Sequence, residues 1–128
     1  MKKAVAILLG LGVVAGATHA LAGRKLPNTV VINGNNFAGT PGDARASADT
    51  QQYIGCVIGG NSQGFTGFCA AKNSAGVTKT CAFNSTGGFG QAVASISALS
   101  NISVWYDAGG NCTTIQVDNS SYNRPTTP

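Results

Sequence analysis

The chain has 128 residues, with eight Lys and Arg, four acidic residues, one histidine and a formal net charge of +4. The histidine, His19, lies in a segment typical of an export signal. Residues 23–128 therefore contain no His, Glu or Met and carry a net charge of 6 − 4 = +2. This composition disfavours acid–base catalysis near neutral pH, and the scattered positive charges form no patch of the kind that nucleic-acid binding requires.

The N-terminus has the three parts of a secretory signal peptide. Met1-Lys2-Lys3 is a short positive start, residues 4–17 are apolar or small, and Ala20-Leu21-Ala22 has the small-x-small pattern of a cleavage site. The apolar run is shorter than the roughly 20 residues of a membrane span. We predict a signal peptide over residues 1–22, with cleavage after Ala20 as the alternative, and no membrane span after cleavage. The short basic start and Ala-rich end predict a secreted or periplasmic protein of a Gram-negative bacterium.

Four cysteines follow the signal, with 12, 11 and 30 residues between them: Cys56, Cys69, Cys81 and Cys112. In an exported chain of this size they predict two disulfides. A zinc site is disfavoured because no C-x-x-C knuckle is present. We expect no metal and no cofactor.

The first half of the exported chain contains four segments rich in β-branched and aromatic residues, which predict strands: residues 28–33, 50–58, 65–71 and 77–83. Between the first two, residues 34–43 are rich in Gly and Asn and predict a loop. Gly- and Asn-containing turns at residues 59–64 and 72–76 predict that the last three strands form an antiparallel meander.

In the second half, apolar residues recur at helical spacing at Phe89, Val93, Ile96 and Leu99, which predicts a helix that ends near Ser100-Asn101. Residues 102–106 and 112–117 then predict a hairpin around the turn at residues 107–111. The sequence thus predicts an α+β, β-dominant fold, with an antiparallel sheet made of a three-stranded meander, one helix and a C-terminal hairpin, stapled by two disulfides. Residues 23–118 form one domain, and residues 119–128 form a C-terminal tail.

The turns constrain the disulfide pairing. Cys56 and Cys69 are equidistant from the centre of one turn, and Cys69 and Cys81 from the centre of the next. Cys56 and Cys81 would then lie about 10 Å apart with a strand between them, too far for a disulfide. We prefer Cys56–Cys69 with Cys81–Cys112, and Cys69–Cys81 with Cys56–Cys112 remains the alternative.

One short segment concentrates charge: Asp43, Arg45 and Asp49. The two carboxylates are candidates for the acid and base of a glycan hydrolase. We favour a structural role instead, in which one carboxylate forms an ion pair with Arg45 and the other caps a local turn.

Four aromatic residues are candidates for surface recognition: Tyr53, Trp105, Tyr106 and Tyr122. Neighbours on a strand point to opposite faces, so Trp105 and Tyr106 cannot both lie in the core. A single Trp in a small β domain is usually a core residue. We therefore expect Tyr106 to face outward.

Residues 44–49 (ARASAD) with residues 52–56 (QYIGC), and later residues 112–115 (CTTI) with residues 119–122 (NSSY), resemble small exported proteins of Gram-negative bacteria with no established activity. The resemblance extends from about residue 33 onward. It implies export and a disulfide-bonded fold.

The sequence predicts a non-enzymatic structural or binding module of the cell envelope or extracellular space, which contacts a protein or glycan surface and binds no nucleic acid. The alternative is a small secreted inhibitor or effector that presents a disulfide-held loop at residues 59–64. A hydrolase that uses Asp43 and Asp49 is the least favoured hypothesis.

Overall fold

The computed structural model describes residues 28–84, 87–120 and 123. The predicted signal peptide, the lead at residues 23–27 and most of the predicted tail, including Tyr122, lie outside the described residues.

The described chain is dominated by strands, in agreement with the predicted α+β class. The elements in chain order are β1 (Val31–Asn33), β2 (Asn36–Gly39), α1 (Pro41–Arg45), β3 (Tyr53–Asn61), β4 (Gly64–Lys72), β5 (Thr78–Asn84), α2 (Phe89–Ala94), β6 (Asn101–Tyr106) and β7 (Cys112–Asp118).

The strands form two antiparallel sheets rather than one. The predicted meander is the sheet β3-β4-β5, and the predicted C-terminal hairpin is β6-β7. The hairpin is extended on one side by β1 and β2, which gives a second sheet in the order β1-β2-β6-β7. Phe37, Ile102 and Val104 are fully buried residues of this second sheet.

The loop predicted over residues 34–43 is wrong, because this segment contains β2 and α1. Gly34 adopts a positive φ of 57°, and the chain reverses so that Asn33 pairs with Asn36. The reversal turns a Gly- and Asn-rich stretch into a hairpin, and it buries Phe37 completely. Pro41 then begins α1, where its missing N–H costs nothing.

The second helix is shorter than predicted. α2 ends at Ala94, and Leu99, predicted on its apolar face, is 43% exposed. The Ser97 N–H donates to the Ser100 hydroxyl at 2.8 Å, and the Ala98 carbonyl accepts from the Gly42 N–H at 2.9 Å. Serine side chains compete with helical hydrogen bonds, and this segment turns away from the helix axis.

The disulfides follow the preferred pairing, Cys56–Cys69 and Cys81–Cys112. Cys56 is directly opposite Cys69 on β3 and β4, and Cys69 is directly opposite Cys81 on β4 and β5, as the symmetric turns indicated. Because Cys81 is on β5 and Cys112 is on β7, the second disulfide joins the two sheets. Next to it, the Ala82 N–H donates to the Gly110 carbonyl at 2.9 Å.

One face of the β3-β4-β5 sheet is packed against α2, and we call it the inner face. Phe83 lies over Gly67, where an added Cβ would overlap both the Phe83 ring and the Val57 carbonyl. The Phe83 ring is 5.8 Å from that of Phe89 on α2. Around Phe83 the inner face is therefore covered by aromatic side chains, whereas Ile58, near the β3–β4 turn, is 39% exposed.

Candidate binding surface

The opposite face of the same sheet is uncovered, and we call it the outer face. Because side chains alternate along a strand, it consists of every second residue of the three strands: Tyr53, Gly55, Val57, Gly59, Asn61, Gly64, Thr66, Phe68, Ala70, Lys72, Thr78, Thr80, Ala82 and Asn84. Most of these side chains are small, so the face is flat.

Three large apolar side chains stand on this flat surface. Val57 is 55% exposed, Phe68 is 47% exposed and Tyr53 is 44% exposed. Val57 and Phe68 are directly opposite each other on neighbouring strands. Contiguous exposed apolar groups of this kind mark contact sites on soluble proteins.

Two shallow depressions adjoin Phe68. The first is lined by Tyr53, Val57, Phe68 and Ala70, among others, and the second by Val57, Thr66, Phe68 and Ala82, among others. The Phe68 ring thus separates two shallow hollows with largely apolar walls. The outer face carries a single charge, Lys72, opposite Tyr53 at one end, so the surface suits a partner that offers apolar or neutral polar groups.

The predicted ion pair is not formed. Among the residues that the structure describes, Arg45 makes no ion pair with either carboxylate, and its side chain is exposed. Asp43 Oδ2 accepts the Asn28 N–H at 2.9 Å, which ties the start of the described chain to α1. Both carboxylates accept hydrogen bonds from neutral donors.

Asp49 is the cap of a tight turn. Its Oδ1 accepts the Gln51 and Gln52 N–H groups at 2.8 and 3.1 Å, and its Oδ2 accepts the Gln52 side-chain amide at 2.5 Å. The backbone hydrogen bond from Gln51, followed by the side-chain hydrogen bond from Gln52, lowers the pKa of Asp49. A carboxylate stabilised in this way stays ionised and is poorly suited to act as a general acid.

The two other acids within the described ranges also organise turns. The pKa of Asp107 is lowered by the backbone hydrogen bond from Asn111 and then by the Asn111 side chain. The pKa of Asp118 is lowered by hydrogen bonds from the Ser120 hydroxyl and the Ser120 N–H. Both carboxylates are used for local structure.

The expected orientation of Trp105 and Tyr106 is reversed. The Tyr106 ring packs 5.8 Å from the Phe37 ring, and its hydroxyl donates to the Gly34 carbonyl at 2.8 Å. Ile102 and Val104 are buried on this side of β6, so alternation assigns Trp105 to the opposite, partly exposed side.

The four predicted aromatic residues do not form one platform. Tyr53 is on the outer face of one sheet, Trp105 and Tyr106 are on the other sheet, and Tyr122 lies outside the described residues. Val57 and Phe68 were not among the predicted recognition residues. The alternation in β4, where Cys69 and Ala71 are buried, was the signal that could have identified Phe68 as an outward residue.

No three His, Cys, Asp or Glu side chains are grouped so as to hold a metal ion within residues 28–84, 87–120 and 123. Over the same residues, the helices are too short to cross a bilayer. The chain matches no protein-family model, no curated protein and no solved structure.

Proposed function

We propose that this chain is an exported, non-enzymatic binding module whose outer face contacts the surface of a protein or glycan in the cell envelope or outside the cell. The observation that carries the proposal is the exposed apolar group formed by Tyr53, Val57 and Phe68 on an otherwise flat sheet. Keeping such groups in water is unfavourable, and burial against a partner removes them from it.

Export to the periplasm or medium of a Gram-negative bacterium fits the two disulfides, which persist in oxidising compartments. A contact role also fits the side chains available. The carboxylates of Asp49, Asp107 and Asp118 serve as turn acceptors. Asp43 accepts a backbone N–H.

The proposal is tested with the full chain, expressed for export in a Gram-negative host so that the disulfides form. Binding is measured by co-sedimentation with isolated bacterial envelopes and with insoluble glycans. Phe68→Ser removes the central aromatic ring of the outer face, and Leu99→Ser removes a similarly exposed apolar side chain elsewhere. We expect the first variant to lose binding at least about tenfold and the second to bind like the parent. Equal binding by all three proteins would reject the outer face as the contact surface.

A second candidate function has an observation of its own. The β3–β4 hairpin ends in a tip, residues 59–64, whose residues are all exposed, and the Cys56–Cys69 disulfide joins the same two strands. The tip is ordered by the Asn61 side chain, which accepts the Gln63 N–H at 2.9 Å. A constrained, projecting hairpin suits an inhibitor that inserts into the cleft of a target protein.

The two functions predict different sensitivities. An inhibitor would capture one stoichiometric protein partner, and Gln63→Ala at the tip would weaken the complex while Phe68→Ser would not. A surface-contact module would instead lose binding with Phe68→Ser and keep it with Gln63→Ala. Binding assays on both variants with the same captured partner therefore distinguish them.

A further inference from the structure

The free edge of β3 has unpaired main-chain groups. β3 and β4 are joined by a two-residue turn between Asn61 and Gly64, which makes these two residues a hydrogen-bonded pair. Hydrogen-bonded and non-hydrogen-bonded pairs alternate along an antiparallel ladder. Cys56 and Cys69 lie five positions from the turn pair, so they form a non-hydrogen-bonded pair. Their Cα atoms are 4.0 Å apart, which agrees with the spacing of about 4.5 Å in such pairs rather than about 5.5 Å.

The N–H and C=O groups of Cys56, Ile58 and Gly60 consequently point away from β4, and we call these groups the β3 edge. Over the described chain, β3 pairs with β4 alone, and no turn or loop hydrogen bond reaches the β3 edge. Residues 57–61 are all exposed. An approaching strand would meet a row of available donors and acceptors.

The other edge strands of the described chain are protected in familiar ways. β1 has only three residues. β5 carries Lys79, and one of its edge N–H groups, that of Ala82, already donates to the Gly110 carbonyl. β7 ends in a charged residue, Asp118. β3 also contacts α1 and α2, but it has nine residues, no charge, no Pro and no bulge, and its residues 57–61 are all exposed.

We propose that the β3 edge pairs antiparallel with the β3 edge of a second copy of this chain, and that the two sheets become one six-stranded sheet. β3 is the least protected edge strand of the described chain. Pairing it with itself leaves no free β3 edge, so the assembly closes as a two-fold dimer instead of growing into a fibre. Charge does not oppose the pairing. Residues 28–120 carry three positive and four negative charges, and none of them is on β3.

Two copies of β3 can pair antiparallel in a register centred on Val57. With the two-fold axis at this residue, Cys56 exchanges hydrogen bonds with Ile58 of the second copy, and Val57 faces Val57 of the second copy. On the outer face the row Phe68–Val57 of one copy then continues into the Val57–Phe68 row of the other. An axis at Cys56 or Ile58 would place Val57 opposite a glycine, and an axis at Gly55 would place it opposite Tyr53, next to Lys72. Only the axis at Val57 joins the two Phe68–Val57 rows directly.

The dimer doubles the outer face on one side of a continuous sheet, which raises the avidity for a repetitive surface such as a glycan or an envelope layer. This consequence rests on the proposed function, whereas the strand pairing does not. The pairing is therefore measured on the purified, disulfide-bonded protein alone.

The oligomeric state is measured by sedimentation equilibrium for the parent, Val57→Lys and Val57→Glu. Val31→Lys is the matched control, because Val31 is a similarly exposed valine on the other sheet. We expect a reversible dimer for the parent and for the control. Each Val57 variant is expected to be a monomer, because like charges then face each other across the axis. An equimolar mixture of the Lys and Glu variants regains the dimer.

A parent that stays monomeric up to about 1 mM overturns the proposal. An equimolar mixture of the Lys and Glu variants that stays monomeric overturns it as well, because residue 57 of one copy then does not lie opposite residue 57 of the other. Hydrogen exchange of the parent needs no variant. The Cys56 and Ile58 amides should exchange more slowly as the protein is concentrated, and concentration-independent exchange would count against pairing. A dimer whose Phe68→Ser variant still binds envelopes would reject the proposed function while the pairing stands.

Discussion

Val57 and Phe68 lie directly opposite each other on β3 and β4, and about half of each side chain remains exposed to solvent. On the reverse side of the same sheet, Cys69 and Ala71 are completely buried. One sheet therefore has one face that completes the core and one that presents apolar groups to solvent. This asymmetry is the physical basis of the proposed contact role.

If the outer face serves contact rather than folding, Phe68→Ser should change the free energy of unfolding by about 1 kcal/mol or less, the value of a cross-strand surface pair. Phe37→Ala should cost about 3–5 kcal/mol, because Phe37 is fully buried. Urea denaturation of both variants measures the difference. Similar losses for the two would mean that Phe68 supports the fold.

Gly67→Ala should destabilise the protein by about 1–3 kcal/mol, the usual cost of overpacking. The added methyl group would overlap the buried Phe83 ring and the Val57 carbonyl. Gly55→Ala on the neighbouring strand is the matched control, since open space surrounds that position. Thermal unfolding should separate the two variants, and equal melting temperatures would contradict the packing of Phe83 over Gly67.

The two disulfides should contribute unequally. Cys81–Cys112 closes a separation of 31 residues and Cys56–Cys69 one of 13. The chain-entropy model then gives the longer loop about 0.8 kcal/mol more stabilisation. Unfolding of the two double Cys→Ser variants tests this order. A larger loss on removal of Cys56–Cys69 would contradict it.

Between about pH 8 and pH 2, the free energy of unfolding should fall only at the acidic end. The pKa values of Asp49, Asp107 and Asp118 are lowered in the folded state by hydrogen bonds. A lowered folded-state pKa stabilises the fold above the unfolded value of about 3.9, and this stabilisation is lost as the pH falls through the folded value.

The described residues contain no His, so no histidine titration should disturb the plateau between about pH 5 and 8. Melting temperatures of the parent and of Asp49→Asn from pH 7 to pH 2 measure the effect. The variant should show a smaller acid-induced drop than the parent. An identical drop in both proteins would show that Asp49 contributes nothing to it.

Symmetric turns made the disulfide framework predictable. Both turns of the meander reverse the chain about their centres, which sets Cys56, Cys69 and Cys81 in one row across three strands. Distance alone then excludes a bond between the outer two. The turns do not determine the partner of Cys112, because its position depends on how the two sheets pack.

The misses have identifiable causes. β2 was overlooked because its single large apolar residue, Phe37, lies among Gly and Asn residues that usually indicate a loop. The outward orientation predicted for Tyr106 followed from placing the single Trp in the core, although Tyr106 has the same strand parity as the buried Ile102 and Val104. The shortening of α2 depends on serine hydrogen bonds and on the contact between Gly42 and Ala98, a tertiary contact that helical spacing does not encode.

Hydroxyl-radical footprinting of the protein bound to isolated envelopes is the most direct test of the central claim, because aromatic side chains report their own solvent exposure. We expect the oxidation of Tyr53 and Phe68 to slow several-fold on binding while that of Trp105, on the other sheet, is unchanged. Protection of Trp105 with unchanged oxidation of Tyr53 and Phe68 would contradict the account.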